Sequence, residues 1–175
     1  MTLKKLFYGI VLLIFLSFSV VATAPQLPQQ KLQNLATTKQ IQFVMKYHIE
    51  ESEAKKIVSL ARRYAQRAGI DTNRFLALIA VESGFRQYVV SKSHAVGFVQ
   101  HIDKWHPEKI QMVREELGYY DRFEMRANLL MGALIAAEYR ERYGYRWMQA
   151  YNGSLNDKTM KYTRQINAKY KELQT

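Results

Sequence analysis

The sequence contains no cysteine and has far fewer acidic than basic side chains. Without cysteine the chain has no disulfide framework, no thiolate metal site and no cysteine for a lipoprotein anchor. Asp and Glu number 15 against 26 Lys and Arg, which gives a net charge of +11. The sequence also lacks internal repeats and coiled-coil heptads. A chain of 175 residues that is 48% hydrophobic therefore predicts one basic domain with its own core.

The amino-terminal residues have the pattern of an export signal. Two lysines precede a largely apolar run over residues 6–21, and the small residues Ala22 and Ala24 follow it. This order predicts a secretory signal peptide over residues 1–22, cleaved after Ala22 or after Ala24. An uncleaved membrane anchor is the alternative, but 16 residues are short for a span of about 20.

Export and charge together narrow the class of partner. Removing residues 1–22 deletes Lys4 and Lys5 and no acid, so the mature chain has a net charge of +9. Outside the cytoplasm, such a protein most plausibly meets the cell wall or anionic lipid. Nucleic acid fits the charge alone, and export argues against it. We therefore predict a periplasmic or cell-envelope location, with membrane contact only through an uncleaved signal peptide.

The mature chain divides into a linker and a folded domain. Residues 23–39 are polar, rich in Gln and contain Pro25 and Pro28, which predicts a flexible linker. Residues 40–175 carry the apolar helical patterns of a folded domain.

The central feature of that domain is an apolar run that ends in a carboxylate. Residues 75–81 are all apolar, residue types that cap helices stand at 71–73, and Glu82 and Gly84 follow the run. This predicts a core helix with Glu82 in its last turn. Burial and the negative end of the helix dipole should both raise the pKa of Glu82. Cleavage of a glycosidic bond requires an acid that stays protonated near neutral pH. The plain alternative is a Glu that reaches water at a helix end.

Further helices are predicted from apolar spacing and from Gly stops. One ends at Gly69 and should pack on the helix before Glu82. Residues 87–103 mix β-branched residues with Ser, His and Gly, and this favours a loop. The other predicted helices are a short one within 41–47, then 107–117, 126–143, 147–151 and 157–173.

Several different short motifs follow one another along the chain. They are Glu-Ser-Gly-Phe at 82–85, Val-Ser at 90–91, Gly-Phe-Val-Gln at 97–100, Asn128 with Gly132, Ala-Tyr-Asn-Gly at 150–153, and Thr159, Tyr162 and Ile166. Together, over residues 57–170, they make the chain resemble the soluble lytic transglycosylases, relatives of goose-type lysozyme. The resemblance implies a mainly α, lysozyme-like fold with at most a very small β-hairpin, in which residues 87–103 form one wall of the cleft.

The resemblance also implies a reaction. In that family one Glu, here Glu82, protonates the oxygen between N-acetylmuramic acid and N-acetylglucosamine. It then accepts the proton of the muramic C6 hydroxyl, which closes a 1,6-anhydro ring without water. The expected partner is the peptidoglycan glycan strand, and no cofactor is expected. Such enzymes serve wall turnover, phage entry, or a cell-envelope secretion or conjugation apparatus.

Four residues are predicted to bind substrate by the same resemblance. Gln100 has an amide that donates and accepts, Tyr151 matches the tyrosine whose hydroxyl points at the catalytic Glu, and Asn152 follows it. Ser83 either binds substrate or only caps the helix end. For Gln100 the alternative is an amide that stabilises a loop, and for Tyr151 a core ring with a satisfied hydroxyl.

Several residues leave alternatives open. Asp103 is either a second carboxylate that activates water, as in a muramidase, or the N-cap of a helix near Trp105. A wall-binding or assembly protein that has lost turnover is another alternative. His94 stands where the family usually has Gly, which is an uncomfortable fit if the backbone there has positive φ. His101 replaces an aliphatic residue. The spacing of His94, His101 and His106 fits no common zinc motif, so no metal is expected.

Overall fold

The described part of the chain, residues 29–175 of the computed structural model, consists mainly of seven α-helices. They are α1 Gln29–Met45, α2 Glu51–Arg67, α3 Thr72–Ser83, α4 Pro107–Leu117, α5 Met125–Tyr143, α6 Trp147–Tyr151 and α7 Lys161–Glu172. Short 3-10 turns at Asp103–Trp105 and Gly144–Arg146 precede α4 and α6. Isolated bridges join Val96 to Val90 and His101, and residues 29–175 contain no strand. The predicted mainly α fold is confirmed, and the predicted signal peptide lies outside the described residues.

Helix α1 corrects the predicted linker over 23–39. The helix already begins at Gln29, so the linker is wrong for residues 29–39, and 23–28 lie outside the described residues. Most residues of this stretch are compatible with a helix, and Pro28 precedes it. Tertiary contacts hold it: Arg62 of α2 donates to Thr37 Oγ1 at 2.8 Å and to Gln40 Oε1 at 2.6 Å.

Helix α3 lies at the centre of the core. Its apolar run is buried, and it packs on α1, α2 and α7, which confirms the predicted contact between α2 and α3. The carboxylate of Asp71 accepts from the Arg74 N–H at 2.9 Å at its start, and Gly84 ends it in the left-handed conformation at φ 58°. Capping at both ends and burial of its middle residues fix the position of Glu82, one residue before the helix ends.

The loop over residues 84–102, called the cleft loop below, is fastened to α5. Asn128 accepts from the Val99 N–H at 3.2 Å and donates to the Val96 carbonyl at 3.3 Å. A Cβ added at Gly132 would lie 2.5 Å from Cγ1 of Val99. The backbone at Gly132 is therefore in close contact with this loop. Gly132 lets the loop lie directly on α5.

Three residues in this loop that are not glycine have positive φ. They are Phe85 at 59°, His94 at 64° and Gln100 at 50°. A side chain in this region costs about 1–2 kcal/mol relative to the right-handed conformation. The suspected misfit of His94 is confirmed, and Gln100 has the same strain inside the predicted site.

Helix α6 connects α5 to α7 through a buried amide. The Oε1 atom of Gln149 accepts from the Thr163 N–H at 2.8 Å and from its hydroxyl at 3.1 Å. This pair fixes the first turn of α7, where Tyr162 lies beside Thr163. Within residues 29–175, no helix combines the length and the apolar character needed to cross a bilayer.

Candidate active site

Glu82 is a half-buried carboxylate at the end of α3. Burial raises its pKa from 4.5 to about 7, and a hydrogen bond from Tyr162 partly opposes that rise. Burial acts because a charged carboxylate loses hydration, while a donated hydrogen bond stabilises the charged form. A group with this pKa is present in both protonation states near neutral pH. It is therefore suited to both halves of an acid–base cycle.

The hydrogen-bond partner of Glu82 comes from α7. The Tyr162 hydroxyl donates to Glu82 Oε1 across 80 residues of sequence. Tyr162 is buried, and burial together with the nearby charge of Glu82 holds the pKa of its hydroxyl well above the ordinary value. Tyr162 therefore stays protonated and keeps its donor on Oε1. This leaves the other carboxylate oxygen, Oε2, for a substrate.

Tyr151 lies near Glu82, because burial and then the charge of Glu82 raise the pKa of its hydroxyl well above the ordinary value. The hydroxyl donates to the Val99 carbonyl at 3.0 Å, so it also fastens α6 to the cleft loop. Sequence reasoning placed Tyr162 in the closing helix without a role, because Tyr151 lies within the more distinctive Ala-Tyr-Asn motif. The sequence does place Tyr162 near the start of the last helix. A linear motif, however, does not show that this part of the helix packs against Glu82.

Gln100 has its donor side occupied and its acceptor side free. Its Nε2 donates to the carbonyls of Gly97 at 3.0 Å and Val89 at 3.3 Å. Within the described part of the chain, no group donates to its Oε1. The amide therefore stabilises the loop, as one alternative held, and still offers an acceptor for a sugar hydroxyl or acetamido N–H.

Ser83 and Asn152 have opposite environments. Ser83 is buried, and its hydroxyl donates to the Phe98 carbonyl at 2.8 Å. A buried hydroxyl already engaged by backbone is not available to substrate, so Ser83 links the end of α3 to the cleft loop. Asn152 is exposed at the end of α6.

A cavity of about 330 Å³ contains most of the predicted substrate-binding residues. The lining comprises Gln100, His101, Ile102, Trp105, His106, Ile135, Tyr139, Ala150, Tyr151, Asn152 and Gly153. Three of the four predicted substrate-binding residues belong to this set. Ser83 does not, and Glu82 also lies outside it. The cavity brings the loop after α3 and the end of α6 together as opposite walls.

Asp103 belongs to a polar cluster next to this cavity. Its Oδ1 accepts from the Tyr120 hydroxyl at 2.6 Å and from His101 Nε2 at 3.0 Å, and its Oδ2 pairs with Arg122 at 3.2 Å. It makes no side-chain cap in the 3-10 turn that it begins, so the predicted N-cap role is wrong. Its carboxylate oxygens are already engaged by three side chains.

His101 is the buried member of that cluster. Its Nε2 also lies 2.8 Å from the Tyr120 hydroxyl oxygen, and Asn128 Nδ2 lies 3.4 Å from its Nδ1. We assign the proton to Nε2, because Nδ1 then accepts from the amide of Asn128. Burial holds the pKa of His101 below its ordinary value, and a neutral ring fits this pattern. Within residues 29–175, no group of three His, Asp or Glu side chains could hold a metal ion.

Comparison with known proteins gives one family and a set of relatives. Residues 59–174 match the family described as the Transglycosylase SLT domain. A membrane-bound lytic murein transglycosylase C of Haemophilus ducreyi is 31% identical over 121 residues, which is 67% of this chain and 33% of that protein. Proteins of the same name from Haemophilus influenzae and Actinobacillus pleuropneumoniae are 32% identical over 84 residues and 29% over 121. The Haemophilus influenzae match covers 48% of this chain and 24% of that protein, and the Actinobacillus pleuropneumoniae match covers 67% and 33%. The chain thus spans a third or less of these relatives.

Proposed function

Because the chain belongs to the SLT transglycosylase family, we propose that it is a peptidoglycan lytic transglycosylase. It cuts the β-1,4 bond between N-acetylmuramic acid and N-acetylglucosamine and acts in the cell envelope. The observation that carries the proposal is Glu82, a half-buried carboxylate with a pKa of about 7 that receives a hydrogen bond from Tyr162. We propose residues 1–22 as the signal peptide and assign catalysis to the domain over 40–175, which includes the matched residues.

The first step is proton donation. Protonated Glu82 gives its proton to the oxygen that bridges the two sugars, and the bond from that oxygen to C1 of the muramic acid breaks. N-acetylglucosamine leaves with a new hydroxyl, and positive charge develops at C1. The Glu82 carboxylate formed in this step stabilises that charge, because the two opposite charges lie close together.

The second step closes a ring. Glu82, now ionised, accepts the proton of the muramic C6 hydroxyl, and O6 bonds to C1. The product is a 1,6-anhydromuramyl end, and Glu82 is protonated again. Water is neither consumed nor released, so the enzyme must position O6 near C1 in place of binding a nucleophile. Tyr162 keeps one oxygen of Glu82 occupied, so the same oxygen, Oε2, carries the proton in both steps.

Gln100, Tyr151 and Asn152 are proposed to hold the glycan. They line the same cavity, and the free Oε1 of Gln100 can accept from an acetamido N–H. Ser83 is excluded from this role, because its hydroxyl is buried against Phe98.

The muramidase alternative needs a second carboxylate that activates water. Asp103 is engaged by Arg122, Tyr120 and His101, which does not favour it as a base. No neighbouring carboxylate contributes to the raised pKa of Glu82 either. A wall-binding protein without turnover would not need an acid with this pKa. Both observations support the mechanism with a single Glu.

The test is the chemistry of the product. Purified sacculi are digested with the wild type, Glu82→Gln and Asp103→Asn, and released fragments are analysed by mass spectrometry. We expect anhydromuramyl fragments, lighter than hydrolysis products by one water, from the wild type and Asp103→Asn. Glu82→Gln should lose activity by at least about 10²- to 10⁴-fold. Reducing muramic acid ends as the main product would contradict the transglycosylase, and an active Glu82→Gln protein would remove Glu82 from the mechanism.

A further inference from the structure

Trp105 is an exposed indole at the edge of the cavity. Its side chain is 64% exposed, although it lines the same cavity as Gln100, Tyr151 and Asn152. The other tryptophan, Trp147, is buried, with 5% of its surface exposed. A large apolar ring left in water beside a cavity calls for an explanation, since burying it elsewhere would stabilise the fold.

The backbone under Trp105 is held firmly. The Trp105 N–H donates to the Ile102 carbonyl at 3.0 Å, and the His106 N–H donates to the Asp103 carbonyl at 3.0 Å. The Asp103 side chain is fixed in turn by the cluster around Arg122. The indole therefore projects from a rigid turn. A rigid aromatic platform binds a ligand with little loss of conformational entropy.

Lys104 places a positive charge on the same platform. Its Nζ lies 4.7 Å from the centroid of the Trp105 ring. Within residues 29–175, Lys104 has no ion pair with a carboxylate. Its charge is thus available to an anion that approaches the indole. With the cation over the ring, the 64% exposure of Trp105 still leaves indole surface for a flat apolar partner.

We propose that Trp105 and Lys104 form a rim subsite that binds a muramic acid residue of the glycan at a distance from the bond that is cut. The inference deepens the proposed function and rests on it. A pyranose ring has an apolar face of C–H bonds that stacks on an indole. Muramic acid also carries a lactyl group that ends in a carboxylate or in the peptide attached to it. The pair thus matches both features of this sugar, whereas N-acetylglucosamine offers only the first.

Binding is measured in the Glu82→Gln background, so that the glycan is not consumed. The probes are a tetrasaccharide of alternating N-acetylglucosamine and N-acetylmuramic acid with free lactyl carboxylates, and a neutral tetramer of N-acetylglucosamine. We expect Trp105→Ala to weaken the binding of both tetramers by roughly tenfold, the magnitude typical of an aromatic stacking contact. Tyr145→Ala is the matched control, because Tyr145 is 82% exposed and does not line the cavity. This control should bind as its parent does.

Lys104→Gln separates charge from stacking. It should reduce the affinity for the muramic tetramer several-fold and leave that for the neutral tetramer unchanged. Iodide quenching gives a direct readout, because only one of the two tryptophans is exposed. Bound tetramer should protect Trp105 from iodide.

Two results would overturn the subsite and leave the proposed function intact. One is unchanged tetramer affinity in Trp105→Ala while the protein with Glu82 still releases anhydromuramyl fragments. The other is equal loss of affinity in Tyr145→Ala. Failure of every glycan to bind the parent protein would overturn the subsite and the proposed function together.

Discussion

At the scale of single residues, two opposing effects set the pKa of Glu82. Burial raises it, and the hydrogen bond from Tyr162 lowers it to a smaller extent. The balance leaves the pKa near neutral pH, where the group can both give and take a proton. A weaker hydrogen bond would raise the pKa and leave less of the ionised form that accepts a proton, and greater exposure would lower the pKa and leave less of the protonated form that donates one.

Tyr162→Phe should raise the pKa of Glu82 above about 7, because it removes the effect that lowers it. In the wild type, kcat/KM should fall with rising pH as the Glu82 acid ionises. In this variant the fall should occur at higher pH. The measurement is kcat/KM against pH on soluble glycan strands. Tyr145→Phe is the control, since Tyr145 is 82% exposed and does not line the cavity. A fall that stays at the same pH in Tyr162→Phe would contradict this account.

Glu82→Gln should stabilise the protein, and by an amount that depends on pH. The folded pKa of about 7 lies above the ordinary 4.5, so the folded state holds the proton more tightly. The contribution of Glu82 to wild-type stability is therefore fully present below pH 4.5 and is lost as the pH rises through about 7. Gln has no such loss. Urea unfolding should show a gain of about 2 kcal/mol for the variant near pH 8, and much less near pH 4. Equal gains at both values would argue against a raised pKa.

At the scale of helices, the sequence predicts the features that local signals set and misses those that distant contacts set. The ends of α3 and α4 follow from Asp71, Gly84, Pro107 and Gly118, whose effects on the backbone are local. Residues 29–40 of α1 were missed because their polar sequence has no apolar period and contacts with α2 hold them, whereas the end of α1 lies within the helix predicted over 41–47. The same difference between local and distant contacts explains which residues of the site could be predicted. Glu82 was found from its own helix, whereas its partner Tyr162 comes from a helix far along the chain.

Gly132→Ala should destabilise the protein by about 1–3 kcal/mol, because its Cβ would overlap Val99. The overlap would push the cleft loop away from α5, so activity should fall as well. Val99→Ala removes the two Cγ atoms that the added Cβ would overlap. The double variant should therefore recover most of the stability that Gly132→Ala loses. Urea unfolding of the two single variants and the double variant measures the coupling. Purely additive effects would show that Val99 is not what the added methyl meets.

At the scale of the whole molecule, the net positive charge suits the substrate that we propose. The chain has an excess of 11 positive charges over its full length, and the expected substrate carries carboxylates. Attraction between them should bring the protein to the wall and weaken as salt screens it.

The exported protein should begin at Thr23 or Pro25, because the small residues Ala22 and Ala24 precede these positions. Amino-terminal sequencing of protein recovered from the cell envelope checks this. Recovery of a chain that still begins at Met1 in the membrane fraction would instead favour the uncleaved anchor.

The bond from Tyr162 to Glu82 also sets an order of events during biosynthesis. The two residues are 80 positions apart, and the ribosome releases the chain amino terminus first. A nascent or stalled chain that stops before α7 contains the proposed acid without the hydroxyl that tunes it. The hydrogen-bonded arrangement that we propose for catalysis is therefore complete only after synthesis has passed Tyr162 and α7 has docked. The tuned pKa of Glu82 is thus a property of the finished domain and not of the helix that carries the carboxylate.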